Sequence, residues 1–374
     1  MPPRPPYGLG ERNAANYVVA SGNLSGYLGE PGEGFLGGPK VRDLEAAWRR
    51  RLGVKYAVAM NSATSCLFGA VQAVTEPREG VLVTPWSMSA SAVCVREARC
   101  EPIFRDIDPQ TYAMQYSHQV HNSVTAIVLV HLFGCPAHST MGLRDYALNN
   151  DIALIEDACQ APGAMWQDRH VGTIGKVGIF SLNRHKQIQA GEGGIAVTDD
   201  EEIAAFLRGF RNHGENGNFR KGYWGGNYRL GEVEAAIGEV QLGRLDELVG
   251  PRIRNAAYLD KGLAELDGVV TPFVPRGLKH VYYLYAVRVP GSAERWGQAL
   301  TREGVPAGTY VKPLYRLPVL SGFVNPDDGD VFPEVERAYR EVVVLPHIHA
   351  GMMEEDLDDV ISAFQKVWKH REEL

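Results

Sequence analysis

Short apolar runs alternate with stretches of helical periodicity along most of the chain. In PKVRDLEAAWRRRLGV, Val41, Leu44, Trp48 and Leu52 recur at helical spacing, with Pro39 placed for a first turn. The runs YAVAM (from Tyr56), VLVTP (Val81), EPIFRDI (Glu101), TAIVLVHL (Thr125), IALIEDA (Ile152), VGIFSL (Val177) and GGIAVT (Gly193) predict strands. Several are apolar on both faces, as strands of a parallel sheet covered by helices must be. The pattern predicts an α/β domain on a mainly parallel sheet over residues 39–250. Residues 1–38 read as an arm, because SGNLSGYLGEPGEGFLGGP from Ser21 to Pro39 makes a poor helix and a poor strand. Val233, Ile237, Val240, Leu245 and Leu248 predict a long amphipathic helix that Pro251 follows. After it come a helix from about Arg252, the strand VYYLYAVRV, a helix near Trp296, an irregular Pro-rich stretch and a closing helix. In that last helix Leu357, Val360, Ile361, Phe364 and Val367 share a face. These elements predict a smaller α+β domain over residues 251–374.

Composition narrows the function. Of 374 residues, 45% are hydrophobic and 22% charged, which argues against extended disorder. Lys plus Arg is 38 against 45 for Asp plus Glu, a net charge of −7 that lacks the basic footprint of a nucleic-acid binder. No apolar run is long enough to cross a bilayer, and MPPRPPYGLGERN lacks the apolar core of a signal peptide. Cys66, Cys94, Cys100, Cys135 and Cys159 form no CxxC pair and sit mainly in apolar segments, as reduced thiols of a cytoplasmic protein do. His131, His213, His347 and His349 are scattered without ligand spacing, so no metal site is expected. A membrane protein, a secreted disulfide scaffold and a zinc ribbon are excluded.

Three stretches carry candidate chemistry. In FSLNRHKQIQAGEGG, a strand ends at Ser181, a polar loop carries Lys186, and Gly191, Gly193 and Gly194 turn the chain into the next strand. A lysine there lies where α/β sheets bind ligands, as a Schiff-base amine or as a solvated surface lysine. In IEDACQAPGA, Asp157 ends an apolar strand, where an uncompensated carboxylate is costly. A protonated pyridine nitrogen, as in pyridoxal phosphate (PLP), would be its partner; the structural alternative is a helix cap. Gln160 follows, facing the ring hydroxyl of such a cofactor or solvent. In AMNSATSCLFGAV, a strand turns through small residues into a helix whose Ala63 and Thr64 amides point outward, a phosphate-binding arrangement that a simple N-cap shares. The Ser181 hydroxyl could add a donor.

With these residues in this order, the sequence resembles the DegT/DnrJ/StrS group of PLP-dependent sugar aminotransferases. The resemblance runs from about Gly37 to the last helix. It rests on NSATS, EDACQA, FS followed by Lys186 and GEGG, RNHG at Arg211, GGNYRLGEVEAAIGEVQL from Gly225 and VVLPHI from Val343. It implies the type I PLP-dependent transferase fold. Lys186 would hold PLP covalently and move the proton between substrate and cofactor, and Asp157 would pair with the pyridine nitrogen. Gln160 would contact the ring oxygen, while Ala63, Thr64 and Ser181 would hold the phosphate. Asn227 matches a position that reaches the phosphate from the neighbouring subunit, implying a homodimer with shared active sites. Arg229 matches a recurrent position that either supports its loop or touches substrate. Within TPWSMSASA, Met88 aligns with the family's ring-covering aromatic and Trp86 lies two residues earlier, so either is a candidate for that face. His185 precedes Lys186. Some relatives carry histidine in place of the lysine and are dehydratases, but Lys186 keeps the lysine register. Tyr310 and Tyr315 lie where the family builds its substrate mouth, or else pack the smaller domain.

The function implied is transfer of an amino group from an amino acid, glutamate being expected, to a keto group of a nucleotide-linked sugar. A deoxysugar dehydratase of the same fold and a non-catalytic regulator are the alternatives, and a cyclitol substrate is a variant of the first.

Overall fold

The computed structural model describes residues 7–116, 123–215, 223–324, 332–346 and 348–374; His347 lies outside them. The helices are α1 (Leu9–Ser21), α2 (Pro39–Leu52), α3 (Ala63–Val74), α4 (Ala90–Glu97), α5 (Thr140–Asn149), α6 (Glu201–Arg211), α7 (Glu232–Gly243), α8 (Leu245–Leu263), α9 (Ala293–Arg302), α10 (Pro333–Glu341) and α11 (Glu354–Lys369). The strands are β1 (Tyr56–Met60), β2 (Gly80–Val83), β3 (Glu101–Phe104), β4 (Val124–Val130), β5 (Ala153–Asp157), β6 (Met165–Trp166), β7 (Arg169–His170), β8 (Val177–Ser181), β9 (Gly194–Thr198), β10 (Leu278–Lys279), β11 (Tyr285–Arg288), β12 (Gly308–Thr309) and β13 (Val342–Leu345).

Seven strands form the central sheet in the order β1-β9-β8-β5-β4-β2-β3. Neighbours from β3 to β8 pair parallel, whereas β9 runs antiparallel to both β8 and β1. One reversed strand in seven makes an α/β sheet that is mainly parallel, as the apolar runs predict. Alternation decides the layers. Along β1, Val58 and Met60 pack with Leu67 and Val71 of α3 and Leu207 and Phe210 of α6. Ala57 and Ala59 face the other way, with Val41, Leu44 and Trp48 of α2 and with Ala235 and Leu242 of α7. Both faces are therefore covered, and the sheet opens to ligands only at its strand ends.

The N-terminal segment contains a helix, α1, where the sequence pattern predicts only an arm. It docks through Glu11, whose Oε1 accepts from Gln241 and Arg244, each at 2.6 Å, while its Oε2 accepts from the Gly8 amide and caps the helix. Pro251 also differs from expectation. It lies inside α8, so the expected 250/251 division falls within a helix, and the single long helix preceding it is α7 plus the start of α8. Losing one N–H is tolerated because Leu245, Val249, Arg252, Ala256, Leu259 and Leu263 bury one continuous face. Further on, β11, β13 and β12 form an antiparallel sheet whose core includes Trp296, Leu300, Val360 and Phe364. No helix among the described residues is long and apolar enough to cross a membrane.

His280 gives this core a pH dependence. Its ring stacks on Tyr282 at 3.9 Å and its Nδ1 accepts the Tyr282 amide at 2.9 Å. Burial pushes its pKa down from 6.5 to about 3, against a smaller opposing effect of a hydrogen bond to the Gly134 backbone. The unfolded chain therefore takes up this proton at higher pH than the folded one. Neutral His280 costs nothing above about pH 6.5, and stability is lost as pH falls from there toward 3, by about 2 kcal/mol at pH 5. The His280→Asn variant, which keeps an acceptor for Tyr282, should show a lower melting temperature at neutral pH but a flatter decline between pH 7 and 5. An unchanged slope would assign the acid sensitivity to other groups.

Candidate active site

Because β9 alone is reversed, the carboxyl ends of β1, β2, β5 and β8 and the start of β9 share one edge of the sheet. That is where open α/β sheets place ligands. A cavity of about 780 Å³ lies at the opposite edge, lined by residues such as Glu76, Thr125, Ala153 and Lys176, and contains none of the candidate residues.

At the shared edge, β1 leads into α3 through Ser62, whose hydroxyl accepts from the Ser65 amide and caps the helix. The Ala63 and Thr64 amides are then the first two of the helix, and the helix dipole favours an anion beside them. Gly194 pairs with both Met60 and Ser181, which brings the start of α3 next to the end of β8. A Cβ on Gly194 would lie 2.4 Å from the Ala63 nitrogen, so this approach requires glycine. Ser181 is buried, with its Oγ accepting from the Asn183 amide.

Asp157 ends β5 and is 5% exposed. Its Oδ1 accepts from the Cys159 amide at 3.2 Å and its Oδ2 accepts the Ser91 hydroxyl at 2.7 Å. No cationic side chain lies within 4.0 Å of it among the described residues, whereas buried Arg211 pairs with Glu45 and buried Glu156 with His131. A buried carboxylate with neutral partners is short of compensating charge. Its neighbour Glu156 points into the opposite face. Burial opposes the charge of Glu156, but the His131 ring at 3.0 Å and the amides of Gly172 and Gly175 prevail and hold its pKa down. Since the Ala137 amide donates to His131 Nδ1, the ring proton sits on Nε2 and goes to Glu156.

Lys186 lies half-buried on the β8–β9 loop, its Nζ 4.3 Å from the centre of the Tyr283 ring. Its charge and that of Asp157 act in opposite senses on the buried Cys159 thiol, whose pKa burial pushes well up. Both charges thus lie within electrostatic reach of one sulfur. His185, one residue earlier, is exposed, and its amide donates to Asn183 Oδ1.

Other candidates are placed differently from one another. Gln160 is buried rather than exposed: its Oε1 accepts the Phe133 amide at 2.8 Å and its Nε2 donates to the Tyr310 hydroxyl at 3.0 Å, leaving one N–H of the amide. Trp86 is fully buried, its indole N–H given to Val311 O, with Tyr112, Phe133 and Tyr310 edge-on around it. It is a core residue with no free face. Met88 is 56% exposed. Tyr315 turns to Glu336, which its hydroxyl meets, and packs on Phe104 and Phe332. Arg229 donates from Nε and Nη2 to Asn212 Oδ1, at 2.9 and 2.5 Å, so it supports the loop. Asn227 pairs with Asn212 through its backbone, and its side chain is exposed. Sequence reasoning missed Ser91 and Tyr283. The only trace of the former is a pair of serines four residues apart in WSMSAS.

The chain is similar to known proteins over most of its length. The model of the DegT/DnrJ/EryC1/StrS aminotransferase family matches residues 30–365. The chain is 31% identical over 342 residues to GDP-perosamine synthase from Caulobacter vibrioides, covering 87% of this chain and 90% of that protein. It is 31% identical over 366 residues to dTDP-3-amino-3,4,6-trideoxy-alpha-D-glucose transaminase from Micromonospora megalomicea subsp. nigra, covering 95% and 94% of the two chains. The X-ray structure of DesV from S. venezuelae superposes with a TM-score of 0.86 at 28% identity, over 96% of this chain and 94% of that one.

Proposed function

The chain belongs to the DegT/DnrJ/EryC1/StrS aminotransferase family, and from that membership we propose that it moves an amino group from glutamate to a keto group of a nucleotide-linked sugar. Its cofactor is pyridoxal 5′-phosphate. The observation that carries the reading is the buried Asp157 carboxylate without a cation, at the same sheet edge as Lys186 and the start of α3. When bound, the cofactor supplies a protonated ring that accepts electrons from the carbon exchanging its amino group.

The chain's residues have separate tasks. Asp157 holds the proton on the ring nitrogen. Lys186 supplies the amine that anchors the cofactor and, once released, carries the proton to and from the reacting carbon. The Ala63 and Thr64 amides and the Ser181 hydroxyl bind the phosphate. The remaining N–H of Gln160 would be available to the ring hydroxyl, and Met88 would cover a ring face, since Trp86 is enclosed in its aromatic cluster. Tyr310 borders the sugar site through Gln160. We assign no substrate contact to Arg229 or Tyr315, whose polar ends are engaged within the chain.

The working unit in this reading is a cytoplasmic homodimer, with Asn227 reaching the partner's phosphate. Its support is the exposure of Leu9, Tyr17 and Val19 on α1 and of Leu24 and Leu28 after it, large apolar side chains on the segment whose Leu28 carbonyl meets Asn212, the backbone partner of Asn227. The five buried, unpaired thiols suit a reducing compartment.

A screen of keto-sugar nucleotides tests the substrate class. The enzyme is first converted by glutamate, and the return of the cofactor's original absorbance is followed on adding each acceptor. At least one keto-sugar nucleotide should restore it in a single turnover. Restoration only by a free keto cyclitol would overturn the nucleotide-sugar assignment.

A further inference from the structure

Two serines connect the loop that carries Met88 to the acid at the end of β5. Ser91, in the first turn of α4, is wholly buried and donates to Asp157 Oδ2 at 2.7 Å. Ser87, 1% exposed, has its Oγ 3.2 Å from Ser91 Oγ. The direction of this chain follows from the donor inventory. A carboxylate only accepts, so the single Ser91 proton goes to Asp157, and the Ser87 hydroxyl must donate to Ser91. A hydroxyl that accepts one hydrogen bond becomes a better donor of the next. With the Cys159 amide on Oδ1 and Ser91 on Oδ2, the carboxylate plane is held from both sides.

We propose that Ser91 is a positioning residue that fixes the Asp157 carboxylate toward the cofactor's ring nitrogen, and that Ser87 strengthens its hold. The inference rests on the assignment of Asp157 to that nitrogen. Ser91 touches neither cofactor nor substrate and works through Asp157 alone. The arrangement needs small hydroxyls because both positions are closed to solvent and packed beneath the loop. An alanine at 91 nearly keeps the volume but leaves Oδ2 without its donor and the carboxylate free to turn.

The experiment reads the ring nitrogen directly. PLP labelled with ¹⁵N at that position is bound to the full-length protein, and its ¹⁵N chemical shift is measured at one fixed pH with no substrate present. Ser91→Ala should move the resonance toward that of unprotonated pyridine, lowering the ratio of protonated to unprotonated ring about tenfold. Ser87→Ala should move it in the same direction by less. Ser89→Ala, which removes a hydroxyl that makes no cap bond at the start of α4, should leave it in place. Asp157→Asn separates the two levels of the argument. If it shifts the resonance while both Ser91→Ala and Ser87→Ala leave it at the wild-type value, the serine chain is passive and the inference fails, though the role of Asp157 stands. If Asp157→Asn itself leaves the resonance unmoved, the assignment of Asp157 fails and takes the inference with it. Should Ser91→Ala not fold, the Ser87→Ala displacement decides alone.

Discussion

Asp157→Asn should lower transamination about a thousandfold while most of the cofactor remains bound, and should raise the melting temperature of the cofactor-free protein. The two effects have one cause. Among the described residues the carboxylate, 5% exposed, meets only neutral donors of the chain, the Cys159 amide and the Ser91 hydroxyl. An uncompensated buried charge opposes folding, and a neutral amide removes that cost. The replacement fits: Oδ1 of the asparagine keeps the Cys159 amide, and its Nδ2 donates to Ser91, whose hydroxyl can turn to accept. What the amide lacks is a charge to hold a proton on the ring nitrogen, so the electron demand of the bound ring falls. Cofactor retention is expected because Lys186 and the phosphate donors are untouched. Were Asp157 only a structural cap, asparagine would cap equally well and the variant would keep its turnover. Calorimetry of the cofactor-free protein and a turnover assay of the loaded one therefore distinguish the readings, and near-normal turnover would place the essential acid elsewhere.

Six of the seven strands of the central sheet are legible in the sequence because burial leaves nearly continuous apolar runs, and Val58, Met60, Ile195 and Val197 show it on the two strands that meet at Gly194. The exception to that pattern is β3, at the sheet edge with Glu101 exposed. The edge that gathers Ala63, Thr64, Asp157 and Ser181 is equally legible, since each stands at or just beyond the end of an apolar run. Helix α1 is not. Its buried residues are Glu11 and Val18, while Leu9, Tyr17 and Val19 are exposed, so no apolar stripe at helical spacing marks the helix. Pro251 misleads for a related reason: a proline signals a break from local chemistry, and the packing of α8 overrides it. Among the site residues, aromatic character alone could not separate Trp86, enclosed by three rings, from a side chain free to cover a cofactor. Tyr315 faces an acid twenty-one positions later in the chain, a pairing that spacing does not reveal. Ser91 is invisible for the opposite reason, since serine at the start of a helix is ordinary and only the fold brings it to Asp157.

Lys186→Ala and Asn227→Asp should each be inactive alone, and mixing the two after subunit exchange should restore activity from nothing to as much as about a quarter of wild type. The backbone of Asn227 is anchored to Asn212, which Arg229 clamps and which in turn donates to Leu28 O at 2.8 Å, while Tyr228 stacks on Phe210 at 4.7 Å. The Asn227 side chain is exposed and makes no hydrogen bond of its own among the described residues, so it is available to a group beyond the chain. If that is the partner's phosphate, an aspartate there keeps the shape but sets negative charge against negative charge in a partly closed site, which weakens cofactor binding. In a heterodimer one site takes Lys186 from the Asn227→Asp chain and Asn227 from the Lys186→Ala chain, and is intact; the other site carries both lesions. Random exchange of equal amounts makes half the dimers mixed, each with one working site of two, hence the ceiling. Tagging one variant shows whether mixed dimers form. If they form and activity stays absent while Asn227→Asp alone is impaired, Asn227 acts within its own subunit and the shared-site arrangement is wrong. If Asn227→Asp alone retains full activity, the residue does not meet the phosphate at all, and the exposed apolar side chains of α1 would have to be explained without it.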